Sequence, residues 1–228
     1  MAVGNQSGIL WRVVSTRMPT KWEVFEAIGF ERQISTNGGQ VDTALAIVLG
    51  DLKRSAPLTR LHSQCFTGEI LGSLRCDCHD QLQMAMKSIA SEGAGLVIYE
   101  YQEGRGIGLM AKLQAYELQD AGLDTVQANH ALGFKADCRD FSLPAAILHD
   151  LGVSRVRLLT NNPRKVRALC DAGIEVVEQI PCEAAPNPHS IAYLQAKKEK
   201  MKHALILNGS EHARSQKVSE HVLSPRTN

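Results

Sequence analysis

The stretch from Leu143 to Ile180 constrains the fold more than any other. "LPAAILHDLG" repeats apolar residues at helical spacing, and "RVRLLT" reads as a strand. "NNPRKVRALCDAG" returns to helical spacing behind a turn, and "IEVVEQI" is short and β-branched again. Strand and helix taking turns in this way argue for an α/β domain with a mostly parallel section of sheet. The first fifty residues read differently. "ILWRVVS", "WEVFEAIGF" and "DTALAIVLG" follow one another with no helical pattern between them, as strands of an antiparallel sheet do. "PLTRLHS" predicts a further strand ending near Cys65, and "LVIYEY" a short buried one. The expectation is a mixed sheet, antiparallel in its N-terminal part, with helices packed on it.

Helical spacing also predicts a helix from about Leu82 through Ala90, stopped at "SEGAG", a second near Leu109 to Ala121, and a lysine-rich one over 191–207. No linker divides the chain, so residues 1–207 are expected to form a single domain. The polar, aperiodic residues 208–228 are expected to be a disordered tail. A net charge of +1, 5% aromatic residues and no basic stripe offer nothing for nucleic acid to bind. No apolar stretch reaches the length of a membrane span, and the first residues lack a secretory pattern, so the cytoplasm is the expected compartment.

That compartment bears on "SLRCDCHDQL", where Cys76 and Cys78 stand one residue apart just before a helix. Reducing conditions disfavour a disulfide, which leaves metal binding or plain packing. Two residues apart on a helix, the thiols would point about 200° from each other; in an extended lead-in they face one side. The helix N-terminus also favours thiolates. Cys65, at the end of the preceding strand, can supply a third sulfur. Three thiolates leave the fourth tetrahedral position of Zn²⁺ open to water, a catalytic pattern, unless His79 closes it. For Cys138, Cys170 and Cys182, which are scattered, packing is the better reading.

Two loops carry signs of phosphate handling. "EGRGIG" places flexible backbone and Arg105 between a strand and a helix. "TNNPRK" offers Thr160 and Lys165 in the same setting, although it also reads as an ordinary helix N-cap followed by proline. Together with a zinc site they favour a small phosphorylated substrate at the strand ends. Asp137 and Arg139 are spaced to face one site or to make a plain surface ion pair. Tyr116 shares a helix face with Leu109 and Leu113, which by spacing alone favours core packing.

In order and spacing, "RLHSQCFTGEILGSLRCDCHDQL", "YQEGRGIGLMAKLQAYELQDAGLDTVQANHALGF", "ADCRDF" and "RLLTNNPRKV" resemble the successive motifs of GTP cyclohydrolase II, over about Leu58 to Ile180. The resemblance implies an α/β homodimer with one zinc per active site, which opens the imidazole ring of GTP. Formate and pyrophosphate are released at the first committed step toward riboflavin. It assigns Cys65, Cys76 and Cys78 to zinc, whose activated water attacks C8 of guanine. It assigns Arg60, Leu61, His62, Ser63, Gln64, Gln81, Glu103, Gly104, Arg105, Thr125, Thr160 and Lys165 to GTP. Asp137 matches the family's proton acceptor. Arg139 matches a residue proposed to attack the α-phosphate with Mg²⁺ assisting, although a guanidinium that stays protonated suits charge stabilisation better. Tyr116 matches a tyrosine beside the guanine ring, against the packing reading. Two positions depart from the pattern: Gln64 stands where glutamate is usual, and His79 where glycine is. The departures leave room for a paralogue serving another purine-derived product, for one that stops at the formylated nucleotide, or for a nucleotide-binding protein without turnover.

Overall fold

The computed structural model describes residues 8–33, 39, 41–53 and 55–205. Its strands form one sheet of seven in the order β1-β2-β3-β5-β4-β6-β7. The antiparallel part joins β1 (Ile9–Pro19), β2 (Val24–Gln33), β3 (Val41–Leu49) and β5 (Gly95–Glu100). The parallel part joins β5, β4 (Leu58–Ser63), β6 (Arg155–Leu159) and β7 (Glu175–Ile180). The expected mixed sheet is thus the one found, and β5 is the strand where its two halves meet.

Alternation along the central strands fills both faces. On one face Leu61, Leu96 and Ile98 pack with Ile147, Leu148 and Leu169, carried by α6 (Ser142–Asp150) and α7 (Pro163–Asp171). On the other, Leu58 and Val97 meet Ala85, Met86 and Ile89 of α2 (Cys78–Glu92). Burial on both faces is what a parallel sheet requires, and it explains why β5 reads as an apolar run. Helix α2 ends at Gly93, whose φ of 72° lets it cap the last turn in the left-handed conformation.

Two short helices, α1 (Phe66–Glu69) and α3 (Glu103–Gly106), precede α2 and α4 (Leu109–Asp120). Helix α5 (Thr125–Ala131) was not expected from apolar spacing. Its mark is the capping box in "DTVQ": Asp124 accepts from Val126 N–H and Gln127 N–H, while Gln127 reaches back to the Asp124 N–H. Helix α8 (Ile191–Met201) is shorter than the predicted 191–207. Lys202 turns left-handed at φ 56°, and Ala204 N–H then donates to Asn161 O at 3.0 Å, tying the chain to the loop after β6. The expected tail, residues 208–228, lies outside the described residues. None of the described helices is long and apolar enough to cross a membrane.

Candidate active site

The chain leaves β4 toward β5 on one side and leaves β6 toward β7 on the other. Their connections part at the carboxyl ends of these two adjacent strands, where an open α/β sheet forms a crevice. Arg60 and Ser63 line it from β4, Gln64 from just beyond that strand, and Thr160, Asn161 and Asn162 from the loop after β6. Helices α4 and α8 add walls: Lys112, Tyr116 and Gln119 from one, Tyr193 and Lys197 from the other. Helix α4 buries only Ala115, and Leu113 is 42% exposed. Of the stripe that spacing assigned to the core, Leu113 is therefore left exposed and Tyr116 lines the cleft.

The Sγ atoms of Cys65, Cys76 and Cys78 all lie within 4.8 Å of one another. Cys65 Sγ and Cys76 Sγ are 3.5 Å apart, far beyond a disulfide bond and close to the separation of two sulfurs on one tetrahedral zinc. Gly68 makes room for them, since a Cβ there would sit 2.8 Å from Cys76 Sγ and 3.2 Å from Cys65 Sγ. The thiols share protons unequally. Hydrogen bonds from Cys76 and Cys78 pull Cys65 far down, and the resulting thiolate pushes Cys76 up to about 11. Sulfurs so placed suit a soft divalent cation.

The lead-in is not extended, as spacing had suggested. Asp77 takes φ −102° and ψ 12°, and Cys78 is already the first residue of α2. That turn is held by the buried Asp77 carboxylate, which accepts from Gln81 Nε2 and Lys197 Nζ, each at 2.7 Å. His79 is exposed and stands outside the cluster. Cys182 packs in the core as expected, whereas Cys138 and Cys170 are exposed on the surface.

A cationic group stands in the same cleft. Arg60 donates to Leu159 O at 2.9 Å and to Gln81 Oε1 at 2.6 Å. Lys165, 4% exposed, donates to Leu61 O at 2.7 Å; burial, then Arg60 and Arg139, push its pKa well below the lysine range. Arg139 grips Asp137 through Nε at 2.9 Å and Nη2 at 2.8 Å. Burial opposes the guanidinium charge, but the bonds to Asp137 outweigh it and hold Arg139 above its usual pKa. Burial likewise opposes the Asp137 charge, and Arg139 overrides it, so that carboxyl titrates at about 2. Of the three, only Arg139 is hydrogen-bonded to a carboxylate; Arg60 and Lys165 bond to carbonyl and amide oxygens, and a cationic group so placed suits a polyanion.

A family model of GTP cyclohydrolase II matches residues 11–181. The chain is 53% identical to GTP cyclohydrolase-2 of Buchnera aphidicola subsp. Acyrthosiphon pisum, over 82% of this chain and 95% of the relative. It is 51% identical to that of Shigella dysenteriae serotype 1, over 86% of this chain and 98% of the relative. The chain belongs to the GTP cyclohydrolase II family. It is, accordingly, an enzyme. Among solved structures, a two-domain 3,4-dihydroxy-2-butanone 4-phosphate synthase from A. baumannii aligns with a TM-score of 0.43 and 19% identity, over 77% of this chain and 40% of that one.

The residues that the GTP cyclohydrolase II motifs pointed to line this cleft, with two exceptions. Leu61 is fully buried in the core and offers only its carbonyl oxygen, to Lys165. Asp137 stands behind Arg139 and does not line the cleft. His62 does line it. Burial drives its imidazole down to about 4, so the ring is neutral, and Nε2–H donates to Glu69 Oε1 at 2.9 Å. Its Nδ1 then has no partner among the described residues and is left as an acceptor. Gly104 and Arg105 form a left-handed turn, at φ 60° and 62°, that carries the Arg105 guanidinium 5.3 Å above the Tyr193 ring.

Lys112, Tyr193 and Lys197 were missed. Lysines on a polar helix read as a solvated face, and nothing local marks them otherwise. Tyr193 and Lys197 also lie beyond the stretch that the family model matches. The pair Asp77–Lys197 is nonetheless buried, with side chains 4% and 10% exposed. Removing one partner strands a charge, at a cost of about 3–5 kcal/mol. Because α8 is close to the end of the described chain, its undocking relieves that cost. Lys197→Met is therefore expected to expose residues 183–205 to limited proteolysis at least about tenfold faster, with little change in the unfolding of the sheet. Adding Asp77→Asn should recover part of the protection; equal cleavage of Lys197→Met and the unaltered protein would refute the anchoring role.

Proposed function

We propose that this enzyme hydrolyses GTP to 2,5-diamino-6-(5-phosphoribosylamino)pyrimidin-4(3H)-one, formate and pyrophosphate. The observation that carries this reading is the presence of a three-thiol cluster and a buried cationic group in one cleft. Cys65, Cys76 and Cys78 would hold zinc, which when bound activates water for attack on C8 of guanine. Arg60, Lys165 and Arg139 receive the triphosphate with its Mg²⁺, and the polyanion restores the Lys165 charge that the free site suppresses. Tyr116 is pushed up to about 12, chiefly by burial, so it stays protonated and can donate toward the base.

Asp137, already ionised at about 2, is a weak base in the free enzyme, and its two bonds to Arg139 suit it to aiming that guanidinium. Arg139, held protonated, stabilises charge on the leaving pyrophosphate rather than attacking phosphorus. His62, Gln64, Gln81, Thr125 and Thr160 complete the nucleotide site. The enzyme acts on this small molecule as a cytoplasmic homodimer of single-domain chains, in riboflavin formation or in a related route from purines.

Incubation with GTP, Zn²⁺ and Mg²⁺ should yield formate, pyrophosphate and the pyrimidine in equal amounts. Pyrophosphate without formate, or formate with a nucleotide that keeps its triphosphate, would overturn this reading.

A further inference from the structure

Lys112 reaches from α4 into the cleft, with Nζ 3.1 Å from Cys65 Sγ and 2.7 Å from Glu103 Oε1. The Lys112 and Glu103 side chains are 11% and 9% exposed. The Glu103 carboxylate is otherwise engaged. Its Oε1 accepts from Gly104 N–H at 2.7 Å, and its Oε2 from Phe66 N–H at 2.6 Å, the residue directly after Cys65. Glu69 Oε1 accepts from Cys65 N–H itself at 2.9 Å. The backbone on either side of the Cys65 side chain is therefore held by carboxylates, and its sulfur by an ammonium.

A lysine–glutamate pair alone would be a weak device in so sheltered a place, because desolvation offsets most of its attraction. The sulfur changes the balance. Three thiolates around a divalent cation leave one net negative charge in a partly buried site, and the Lys112 ammonium is the cation in contact with them. With Phe66, Gly104 and Lys112 as its partners, the Glu103 carboxylate has little left for a nucleotide, the role its motif implied.

We propose that Lys112 and Glu103 are a positioning pair for Cys65: Glu103 fixes the lysine, and the lysine donates a hydrogen bond to the sulfur and draws electron density from it. The inference rests on the metal site proposed above. Its test uses the full chain loaded with Co²⁺ in place of zinc, in which sulfur-to-cobalt charge transfer gives an absorption band. A hydrogen bond to sulfur lowers the energy of its lone pairs, so Lys112→Met should move the band to longer wavelength at unchanged cobalt stoichiometry. Lys112→Arg, which keeps a donor, should leave the band close to its position in the unaltered protein. With zinc, Lys112→Met should lower kcat for formate release about 10- to 100-fold, with KM for GTP within about threefold.

An unmoved band in Lys112→Met would overturn the pairing. So would a large rise in KM at constant kcat, which marks a nucleotide contact. Should Lys112→Met not fold, Glu103→Gln reads the same band in a chain that keeps the ammonium but loosens it, and an unmoved band there has the same meaning. If the unaltered protein binds no cobalt with a thiolate band, the metal site itself is wrong, an outcome distinct from failure of the pair.

Discussion

Cys76→Ser is expected to retain less than about a tenth of the zinc and to release formate about 10³-fold more slowly, the scale of several kcal/mol that a Lewis acid supplies. Serine is nearly the same size, but its hydroxyl does not ionise at neutral pH, so one of the ligands is lost and two thiolates remain. Cys76 Sγ stands 3.5 Å from Cys65 Sγ, under a glycine that leaves room for both. The comparison is Cys170→Ser, exposed on α7, which should keep its zinc and its activity. Pyrophosphate release from GTP should survive in Cys76→Ser, because Arg60, Lys165 and Arg139 are untouched. Metal analysis of both variants decides the matter. Equal zinc content would remove the three-thiol assignment.

Arg139→Ala should do the opposite, lowering pyrophosphate release by about 10²–10³-fold, the usual worth of a preorganised charge at a leaving group. The guanidinium is locked by Asp137 at 2.9 and 2.8 Å and lies 5.4 Å over the Phe141 ring, a fixed charge that alanine removes. Asp137 keeps a second partner in Arg164 at 2.9 Å, so the fold should tolerate the loss. Arg139→Lys, with a charge but without the fork, should fall between the two. Rapid quenching of the unaltered enzyme should find no nucleotide attached to Arg139. Pyrophosphate release at the unaltered rate in Arg139→Ala would remove the residue from the mechanism, and a trapped adduct would show it to be a nucleophile.

Much of this protein was legible in the sequence, for local reasons. Apolar runs and helical spacing place strands and helices because burial on a sheet or a helix leaves a period, and β5 is a nearly unbroken apolar run because both its faces are covered. The Cys65, Cys76 and Cys78 set could be read because thiols so spaced suit a metal, and the fold brings their sulfurs within 4.8 Å of one another. What spacing could not decide was which way a helix faces. Leu109, Leu113 and Tyr116 read as a core stripe, yet α4 buries only Ala115: Leu113 is 42% exposed and Tyr116 lines the cleft. Leu61 and Asp137 sit among site residues in the chain but not in space: alternation along β4 sends Leu61 into the core, and the bonds to Arg139 hold Asp137 behind it.

Tertiary structure alone supplied the lysines. Lys112 is 47 residues from Cys65 and Lys197 is 120 from Asp77. A long flexible side chain carries no local mark of its partner, because in sequence a lysine bound for solvent and one bound for a buried carboxylate or sulfur look the same. Only the folding of α4 and α8 against the cysteine loop gave each ammonium its counter-charge.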